Sequence, residues 1–453
     1  MRVFKRKIYS KLWNWKVETA GTKALLIEGA RRIGKSTIVE DFAKREYRSY
    51  ILIDFNVAGD TVISAFNNYL NDLDTFFMIL ESEYNVKLYR RESVVILDEI
   101  QRFPKARQAV KYLVADGRFD YIETGSLISI KENVEGITLP SEERRLSMYP
   151  MDFEEFAWAM GEDMMINYIK KCFDFLTPLE QSMHAKAMML FRQYMIVGGM
   201  PQSILAYIDN DRDFGKSDTE KRDILSMYRS DIMKIRSSYK PRVTALFDQI
   251  PAFLSHKERR VVMNRIDKNA TFPKYHDTFF WLADSMMVNQ CFNCSDPNVG
   301  LSLNEDRTYV KCYMSDTGLL ISHTFSENEI TDNALYRELL FGKMSVNEGM
   351  FYENAISQML VANGHKLYFY TRYNEEKHRN DIEIDFLISN NSKLKYKVCP
   401  IEVKASDRYT TKSLTRFAEH FRQRIGGCYV IHPKNLKVEG NVTYIPAYMT
   451  FCL

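Results

Sequence analysis

Short apolar runs alternate with amphipathic stretches over the first third of the chain. Each run has the length and the β-branched content of a buried strand, and the intervening stretches have apolar residues at helical spacing. This alternation predicts a parallel sheet with helices on both faces. The predicted strands are residues 24–28, 50–54, 93–98 and 119–124.

The chain starts with a basic segment that precedes the first predicted strand. Its apolar residues Phe4, Ile8, Leu12 and Trp15 have the spacing of one helix face. We expect a lead-in helix that packs on the first domain.

The pattern changes past this first domain, where helices replace the strands. The turn from Val197 to Pro201 separates two of these helices, and Ile250-Pro251 is expected to end another. A hairpin follows, with strands at 287–292 and 308–314. From Asn347 onward strands and helices alternate again, which predicts a second α/β domain.

Composition and charge limit the class of protein. The chain has 453 residues, of which 45% are hydrophobic, and a formal net charge of +3, so it is globular rather than fibrous or disordered. A nearly neutral total gives no overall argument for a nucleic-acid or membrane partner, and any such surface has to be local. Seven cysteines, a sparse and odd number, favour a reducing compartment. Because no stretch approaches the roughly 18 apolar residues of a spanning helix, we expect a soluble cytoplasmic protein.

The strongest motif lies between the first predicted strand and the helix that follows it. Residues 29–37 match the phosphate-binding pattern G-x4-G-K-[ST]. Two glycines let backbone N–H groups converge on phosphate oxygens, and the helix presents its positive end to the same anion. Lys35 brings a charge to the β- and γ-phosphates, and Ser36 brings a hydroxyl to Mg²⁺. The predicted nucleotide-binding residues are Gly29, Arg32, Ile33, Gly34, Lys35, Ser36 and Thr37, with ATP and Mg²⁺ as cofactors.

Polar residues end two of the neighbouring strands. Since parallel strands bring their carboxyl ends to one edge of the sheet, we expect Asp98 to hold Mg²⁺ and Glu99 to polarise the attacking water. Lys35, Asp98 and Glu99 are the predicted catalytic residues; without the upstream loop, the two acids would be read equally well as a surface turn. Thr124 and Ser126 are candidates for sensing the γ-phosphate, or for capping a helix.

A second acidic pattern lies near the C-terminus. Asp385 lies on one predicted strand, and Glu402 and Lys404 are two residues apart on another, so both leave the same face. Two carboxylates and an ammonium fit a Mg²⁺ site that orients an attacking water, and Glu353 on the preceding helix offers a further oxygen ligand. The alternative is a solvated strand pair, in which alternating charge is ordinary.

Several motifs together resemble those of the prokaryotic AAA-type, P-loop ATP-binding proteins. They are Leu26 to Ser36, Ile96 to Gln101, Thr124-Gly-Ser126, Tyr149 to Glu155, Tyr194 to Pro201, Tyr313 to Leu319, and Glu353-Asn-Ala. The resemblance covers essentially the whole chain. It implies an α/β multidomain fold with an AAA+-like parallel-sheet core, a helical lid, a winged-helix segment and a C-terminal DUF4143-like domain of restriction-endonuclease-like fold.

The resemblance also implies how the chain divides and which residues form the C-terminal site. The expected parts are residues 1–155 for the ATPase core with its lead-in helix, 156–238 for the lid, 239–320 for the winged-helix segment, 321–346 for a linker and 347–453 for the nuclease-like domain. Asp385, Glu402 and Lys404 match the PD-(D/E)xK nuclease signature, with Glu353 as its helical acid. One departure is that Ile384, not proline, precedes Asp385.

An AAA+ site usually takes an arginine from a neighbouring subunit or from the lid to stabilise charge on the transferred phosphate. The candidates are Arg102, Arg107, Arg118, Arg144 and Arg145, and the sequence does not choose among them. Arg31 and Arg32 are typical of the family, and we expect them to pin the phosphate loop.

These features predict an ATPase that acts as a conformational switch on the winged-helix and nuclease-like domains, with DNA as the expected target. A local basic patch that includes Arg259, Arg260, Arg265 and Lys268 offers a DNA surface, although such modules also bind proteins. One alternative is an ATP-binding adaptor with little turnover whose C-terminal domain binds DNA or protein without cleavage. Another is a transcription regulator that uses the winged helix. A homo-oligomer or a protein partner is expected if the arginine comes from a neighbour.

Overall fold

A computed structural model of the chain describes residues 2–125, 141–235, 240–256, 259–266, 268, 270–298, 300–327, 333–341, 348–376, 378–390 and 397–453. It divides into two compact units. The first unit consists of Met1–Tyr149 and Asp284–Met286, and the second of Pro150–Ala283 and Met287–Leu453. Within the described residues, no helix has both the length and the apolar character that crossing a membrane requires.

The first unit is built on a parallel sheet. Its strands are β1 Ala24–Glu28, β2 Ser49–Asp54, β3 Ser93–Asp98, β4 Asp120–Gly125 and β5 Glu143–Ser147. Its helices are Ile8–Thr19, Lys35–Glu46, Asp60–Asn68, Leu73–Tyr84 and Pro104–Asp116, with a short 3-10 helix at Ile100–Arg102. The strand order is β2-β3-β4-β1-β5, and every pairing is parallel. The four strands expected from the sequence are therefore confirmed.

The burial of the first unit explains why its elements were predictable. All residues of β3 and β4 are buried, as apolar runs covered on both faces must be. The lead-in helix buries Ile8, Leu12 and Trp15, whereas Phe4 lies ahead of the helix and is half-buried. Strand β5 was missed because its sequence is mostly polar, which fits a partly exposed strand at the edge of the sheet.

The second unit combines helices with one large mixed sheet. Its longer helices are Phe153–Ala159, Asp163–Asp174, Gln181–Val197, Pro201–Asp209, Phe214–Met233, Lys240–Ser255, Phe272–Asp284, Thr317–Thr324, Asn333–Leu340, Glu348–Ala362 and Lys412–His420; short helices are Met263–Ile266, Leu301–Asn304 and Ala447–Cys452. Its strands are β6 Val288–Cys294, β7 Glu305–Met314, β8 Leu367–Asn374, β9 Arg379–Asn390, β10 Lys397–Val403, β11 Cys428–His432, β12 Lys437–Glu439 and β13 Val442–Pro446. They form one sheet in the order β12-β13-β11-β10-β9-β8-β6-β7.

The hairpin β6–β7 differs from its expected place in a separate winged-helix segment. Strand β6 pairs in parallel with β8, with Cys291 opposite Leu367 and Asn293 opposite Phe369. The hairpin and the C-terminal strands therefore share one sheet, although the sequence pattern assigned them to different domains. The sequence pattern identifies strands that follow one another along the chain. It does not show that β6 pairs with β8, because these two strands are far apart in the sequence.

The helix Lys240–Ser255 runs through Pro251, where the sequence predicted a helix end. Proline leaves the carbonyl four residues earlier without its helical donor. That carbonyl belongs to Phe247, and it lies 3.1 Å from Nε2 of His323, which donates to it as the neutral tautomer. The His323 ring also stacks on the Phe247 ring, with centroids 5.1 Å apart. A side chain from another helix thus replaces the lost hydrogen bond.

The turn between the helices Gln181–Val197 and Pro201–Asp209 requires its glycines. The N–H of Met151 donates to the carbonyl of Gly199 over 2.7 Å. The N–H of Gly199 in turn donates to the Asp316 carboxylate. A Cβ on Gly199 would lie 2.0 Å from the Met151 carbonyl oxygen, closer than real atoms approach. This contact holds the start of the second unit against the turn.

We predict that Gly199→Ala destabilises the second unit by about 1–3 kcal/mol, because backbone atoms have to move to admit the methyl group. The melting temperature measured by circular dichroism should fall by several degrees. Gly427→Ala is the matched control, since its Cβ would meet no atom within 4 Å. Equal melting temperatures for the two variants would contradict the prediction.

Candidate functional site

The loop between β1 and the helix Lys35–Glu46 turns tightly. Gly34 has φ 89° and Arg32 has φ 66°, so two residues of the loop adopt the left-handed conformation. A Cβ on Gly29 would lie 2.5 Å from the carbonyl oxygen of Met148, so only glycine fits there. Ile33 is fully buried under the loop, with its side chain against Gly29. The loop thus has the cradle shape that converging N–H groups need.

The phosphate loop is anchored from the N-terminal segment. The guanidinium of Arg6 is buried and donates to the carbonyl of Ile33 over 2.8 Å and to that of Tyr149 over 2.7 Å. Arg31 and Arg32 were predicted to pin the loop, whereas the anchoring role of Arg6 was not predicted. The only signal for Arg6 was the basic character of the segment that contains it.

The ammonium of Lys35 lies inside this loop. It donates to the carbonyl oxygens of Gly29 and Ala30, each over 2.9 Å. Burial disfavours the charged amine and lowers the pKa of Lys35 to about 8, while the carboxylates of Glu99 and Asp98 act in the opposite direction. The amine is thus poised to exchange weak carbonyl partners for an anion.

The carboxylate of Asp98 joins three elements of the first unit. Its Oδ1 accepts a hydrogen bond from the hydroxyl of Ser36 over 2.9 Å and another from the hydroxyl of Thr124. Strand β4 lies between β1 and β3, so the end of β4 brings Thr124 between the loop and Asp98. Ser126, the other sensor candidate, lies outside the described residues.

Glu99 follows Asp98 in a turn that its φ of 53° makes unusual for a residue with a side chain. Its Oε2 accepts a hydrogen bond from Nε2 of Gln101 over 2.5 Å. Gln101, two residues after Glu99, is buried, so the carboxylate of Glu99 is held by a fixed side chain. Gln101 ends the motif Ile96 to Gln101 that resembles the family, and no role was predicted for it.

These residues fit a nucleotide with Mg²⁺. The glycine cradle and the helix start suit a phosphate anion, and the buried ammonium of Lys35 supplies the opposite charge. Mg²⁺ commonly takes one carboxylate, a hydroxyl and phosphate oxygens, which matches the pairing of Ser36 with Asp98. Thr37 is half-buried in the first turn of the helix, and Arg32 is exposed on the loop. The roles of these residues remain predictions.

The five arginine candidates have different surroundings. Arg107 is buried and pairs with Glu143 over 2.8 Å, with Glu123 3.9 Å away. Arg118 pairs with Asp74 and Asp116, and Arg144 pairs with Glu18. Arg145 is half exposed and shares Glu143 with Arg107, over 2.7 Å. Arg102 is exposed, and no described residue pairs with its guanidinium.

Arg107 is thus part of the interior of the first unit. Burial and the neighbouring charge of Glu143 raise the pKa of Glu123 to about 8. The guanidinium of Arg107 opposes this shift and lies between the two carboxylates. A guanidinium held in this way is not available to reach a phosphate.

The C-terminal carboxylates lie in a second cluster, within the sheet of the second unit. Strands β9 and β10 pair in antiparallel register, with Ile401 opposite Phe386, so Asp385 and Glu402 lie on adjacent strands as expected. The Asp385 Oδ2 accepts from the N–H of Val403 over 2.8 Å. Lys404 Nζ donates to Glu402 Oε1 over 2.9 Å.

Glu402 is almost fully buried. Burial first, and then the charges of Asp385 and Glu383, raise the pKa of Glu402 to about 7, while Lys404 lowers it. Its Oε2 has no hydrogen-bond partner among the described residues. The carboxylate is therefore only partly ionised at neutral pH.

The helical acid Glu353 has cationic neighbours that the sequence analysis did not anticipate. Glu353 is fully buried, and its Oε1 lies 3.2 Å from the ammonium of Lys311 and accepts from the hydroxyl of Tyr313. Arg259 pairs with its other oxygen, Oε2. Lys311 and Tyr313 lie two residues apart on β7, and this spacing was the only signal in the sequence.

The predicted C-terminal Mg²⁺ site does not fit this arrangement. Among the residues that the structure describes, no three His, Cys, Asp or Glu side chains converge as a metal-binding group. The carboxylate of Glu353 faces Lys311, Arg259 and Tyr313 rather than the space of a metal ion. We derive no chemistry through a metal at this cluster.

Comparisons with known protein families match three stretches of the chain. Residues 21–157 match the model of an AAA domain. Residues 188–329 match a domain of unknown function, DUF8612, and residues 348–449 match another, DUF4143. The middle match spans the boundary at residue 238 where the lid and the winged-helix segment were expected to meet.

Solved structures show weak similarity. A signal transduction ATPase with numerous domains and a tetratricopeptide repeat sensor, from Pyrococcus horikoshii, is 10% identical with a TM-score of 0.29, over 80% of this chain and 48% of that one. AMPPCP-bound DnaA from Aquifex aeolicus is 10% identical with a TM-score of 0.28, over 62% and 90%. Cdc6p from Pyrobaculum aerophilum is 11% identical with a TM-score of 0.29, over 76% and 96%. The matched region spans less than half the length of the first of these proteins. No curated protein sequence matches.

The AAA-domain match lies over most of the first unit and includes the phosphate loop, Lys35, Ser36 and Asp98. The DUF4143 match lies within the second unit and includes Glu353, Asp385, Glu402 and Lys404.

We predict that Arg107→Ala destabilises the first unit by about 3–5 kcal/mol, because Glu123 and Glu143 lose their buried cation. Urea unfolding followed by circular dichroism measures this change. Arg145→Ala is the matched control: Arg145 binds the same Glu143 at the surface, so the loss should be at most about 1 kcal/mol. A stable Arg107→Ala protein that loses only ATP turnover would instead favour a catalytic arginine.

Proposed function

We propose that this protein binds ATP with Mg²⁺ and hydrolyses it, and that the nucleotide state acts as a conformational switch for the second unit. The observation that carries the proposal is the carboxylate of Asp98, which accepts from both Ser36 and Thr124 beside the buried ammonium of Lys35. A buried amine with only a structural role is expected to pair directly with a carboxylate, whereas Lys35 donates to the neutral carbonyl oxygens of Gly29 and Ala30.

Each residue has a specific task in the proposed mechanism. The loop N–H groups and Lys35 bind the phosphates, and Ser36 and Asp98 would hold Mg²⁺. The bound ion would supply positive charge that stabilises the transferred phosphate. Glu99 orients the attacking water and accepts its proton, while Gln101 holds the Glu99 carboxylate in place.

An arginine completes the proposed site. Arg102 is the candidate that the geometry favours, since its guanidinium is exposed directly after the turn that contains Glu99, whereas Arg107 is enclosed. An exposed arginine that acts in trans requires a neighbouring subunit. We therefore include a homo-oligomer in the proposal, and the sparse cysteine content supports a cytoplasmic location.

DNA is the proposed target of the second unit. Residues 240–314 have three helices followed by a hairpin, which is the element order of a winged helix, although the hairpin also belongs to the large sheet. Arg260, Arg265, Lys268 and Lys274 supply local positive charge there. Arg259, which the sequence analysis included in this patch, pairs with buried Glu353 instead.

A second candidate function is an ATP-binding adaptor with little turnover whose C-terminal domain binds DNA or protein without cleavage. The observation that favours it is the neutralisation of Glu353 by Lys311 and Arg259. A domain that binds without cutting needs no metal centre. Phosphate release from ATP distinguishes the two candidates, since the switch turns over ATP and the adaptor does so very little.

We predict that Lys35→Ala abolishes ATP hydrolysis and that Glu99→Gln slows it by about 100-fold or more while ATP still binds. Lys35 binds the phosphates themselves, whereas Glu99 acts only on the attacking water. Phosphate release measures turnover, and equilibrium dialysis measures binding. Glu92→Gln is the control, because Glu92 is an exposed acid of the same unit that pairs with Arg48. Turnover like that of the wild type in both site variants would reject the proposal.

We also predict that nucleotide affinity decreases above pH 8. The pKa of Lys35 is lowered to about 8 in the free site, and a bound phosphate favours the charged amine. Affinity is therefore full below pH 8 and falls by up to about tenfold per pH unit above it. Titration with a non-hydrolysable ATP analogue between about pH 7 and 9.5 tests this expectation. Lys35→Arg should give a flat profile, since a guanidinium stays charged; a flat wild-type profile would contradict the prediction.

A further inference from the structure

The ammonium of Lys311 lies between two carboxylates of the C-terminal cluster. Lys311 is on β7 of the hairpin, is almost fully buried, and has its Nζ 3.2 Å from Glu353 Oε1. The same Nζ lies 3.8 Å from Asp385 Oδ1. A helix residue and a residue of β9 thus meet through one cation from a third element.

The other oxygen atoms of these acids are occupied as well. Arg259 pairs with Glu353 Oε2, and the hydroxyl of Tyr313 adds a donor at Oε1. The second oxygen of Asp385 accepts from the backbone N–H of Val403 over 2.8 Å. Both carboxylates therefore have their charge satisfied by groups of the chain itself.

The charge of the cluster is close to balanced. Three cations, Lys311, Arg259 and Lys404, face the carboxylates of Glu353 and Asp385 and the partly ionised Glu402. Glu383 adds one further negative charge nearby, since it acts on the pKa of Glu402. A divalent ion would bring two more positive charges next to the ammonium of Lys311, which a buried site disfavours strongly.

We propose that Lys311 takes the place between Glu353 and Asp385 that a divalent cation has in a two-carboxylate metal site, so that the cluster excludes divalent ions. The ammonium joins the hairpin to the helix Glu348–Ala362 and to β9. The pairing of β6 with β8, which brings the hairpin into the sheet, is what delivers Lys311 to the cluster. This inference is independent of the proposed ATP hydrolysis.

Mn²⁺ binding to the full-length chain without nucleotide tests the proposal. Every protein carries Asp98→Asn, so that the first unit lacks its carboxylate ligand and the titration reports the second unit. Electron paramagnetic resonance measures free Mn²⁺. We expect no Mn²⁺ site in this parent protein and one new site, at least about tenfold tighter than any residual binding, after Lys311→Met. Lys366→Met is the matched control, because Lys366 is an exposed lysine that pairs with Glu305.

Two results would overturn the proposal. One is a Mn²⁺ site in the parent protein that Asp385→Asn removes. The other is a folded Lys311→Met protein that gains no site. The variant also leaves two buried acids without their cation, so it has a second readout: Mn²⁺ should raise its melting temperature, whereas the melting temperature of the parent should not change. If the variant fails to fold even with Mn²⁺, the parent protein still tests the proposal. A rise in the melting temperature of the parent on addition of Mn²⁺, lost after Asp385→Asn, would contradict it.

Discussion

The cost of burying charge without a partner governs both units of this protein. A carboxylate or an ammonium loses its hydration when it is buried. Ion pairs or hydrogen bonds inside the protein have to compensate for that loss. In the first unit Asp98 receives two hydroxyl groups, and Glu123 and Glu143 share Arg107. In the second unit Glu353 receives a lysine, an arginine and a tyrosine. A buried charge that lacks an ion-pair partner can bind a ligand, whereas one that already has such partners has a structural role.

By this measure the two clusters differ. Lys35 is bound only by neutral carbonyl oxygens, which are weaker partners for an ammonium than an anion is. Its pKa is lowered by burial, so the free site gains when a negative ligand arrives. Lys311, in contrast, already has two anions within ion-pair distance. The first arrangement attracts a ligand, and the second is complete.

The sequence predicted what is local along the chain. The phosphate loop is one continuous motif, and the strands of the first sheet are apolar runs that both faces bury, so pattern and burial agree. Asp98 and Thr124 were found because they end such strands. Asp385 and Glu402 were found because adjacent strands keep register. The edge strand β5 was not predicted from the sequence, because a partly exposed strand does not need a continuous apolar run.

Contacts between residues far apart in the sequence were not predicted, for a different reason. Lys311 and Glu353 are 42 residues apart, and Gly199 and Asp316 are 117 apart, so no spacing in the sequence connects them. The same holds for His323, which satisfies the carbonyl that Pro251 leaves free. Such contacts depend on which strands and helices become neighbours, and this is decided by packing over the whole unit.

The hairpin β6–β7 shows how such a neighbour changes the chemistry of a motif. Asp385, Glu402 and Lys404 have the spacing that predicted a metal site, and Asp385 and Glu402 lie on strands that pair in antiparallel register. The hairpin adds Lys311 from outside the signature, and with it a positive charge where the motif alone would leave room for a cation. Residue spacing therefore defines which side chains meet, but the charge of the surrounding elements decides what they bind. A fold that retains the acids and supplies its own cation can still hold strands together and present a surface to a partner.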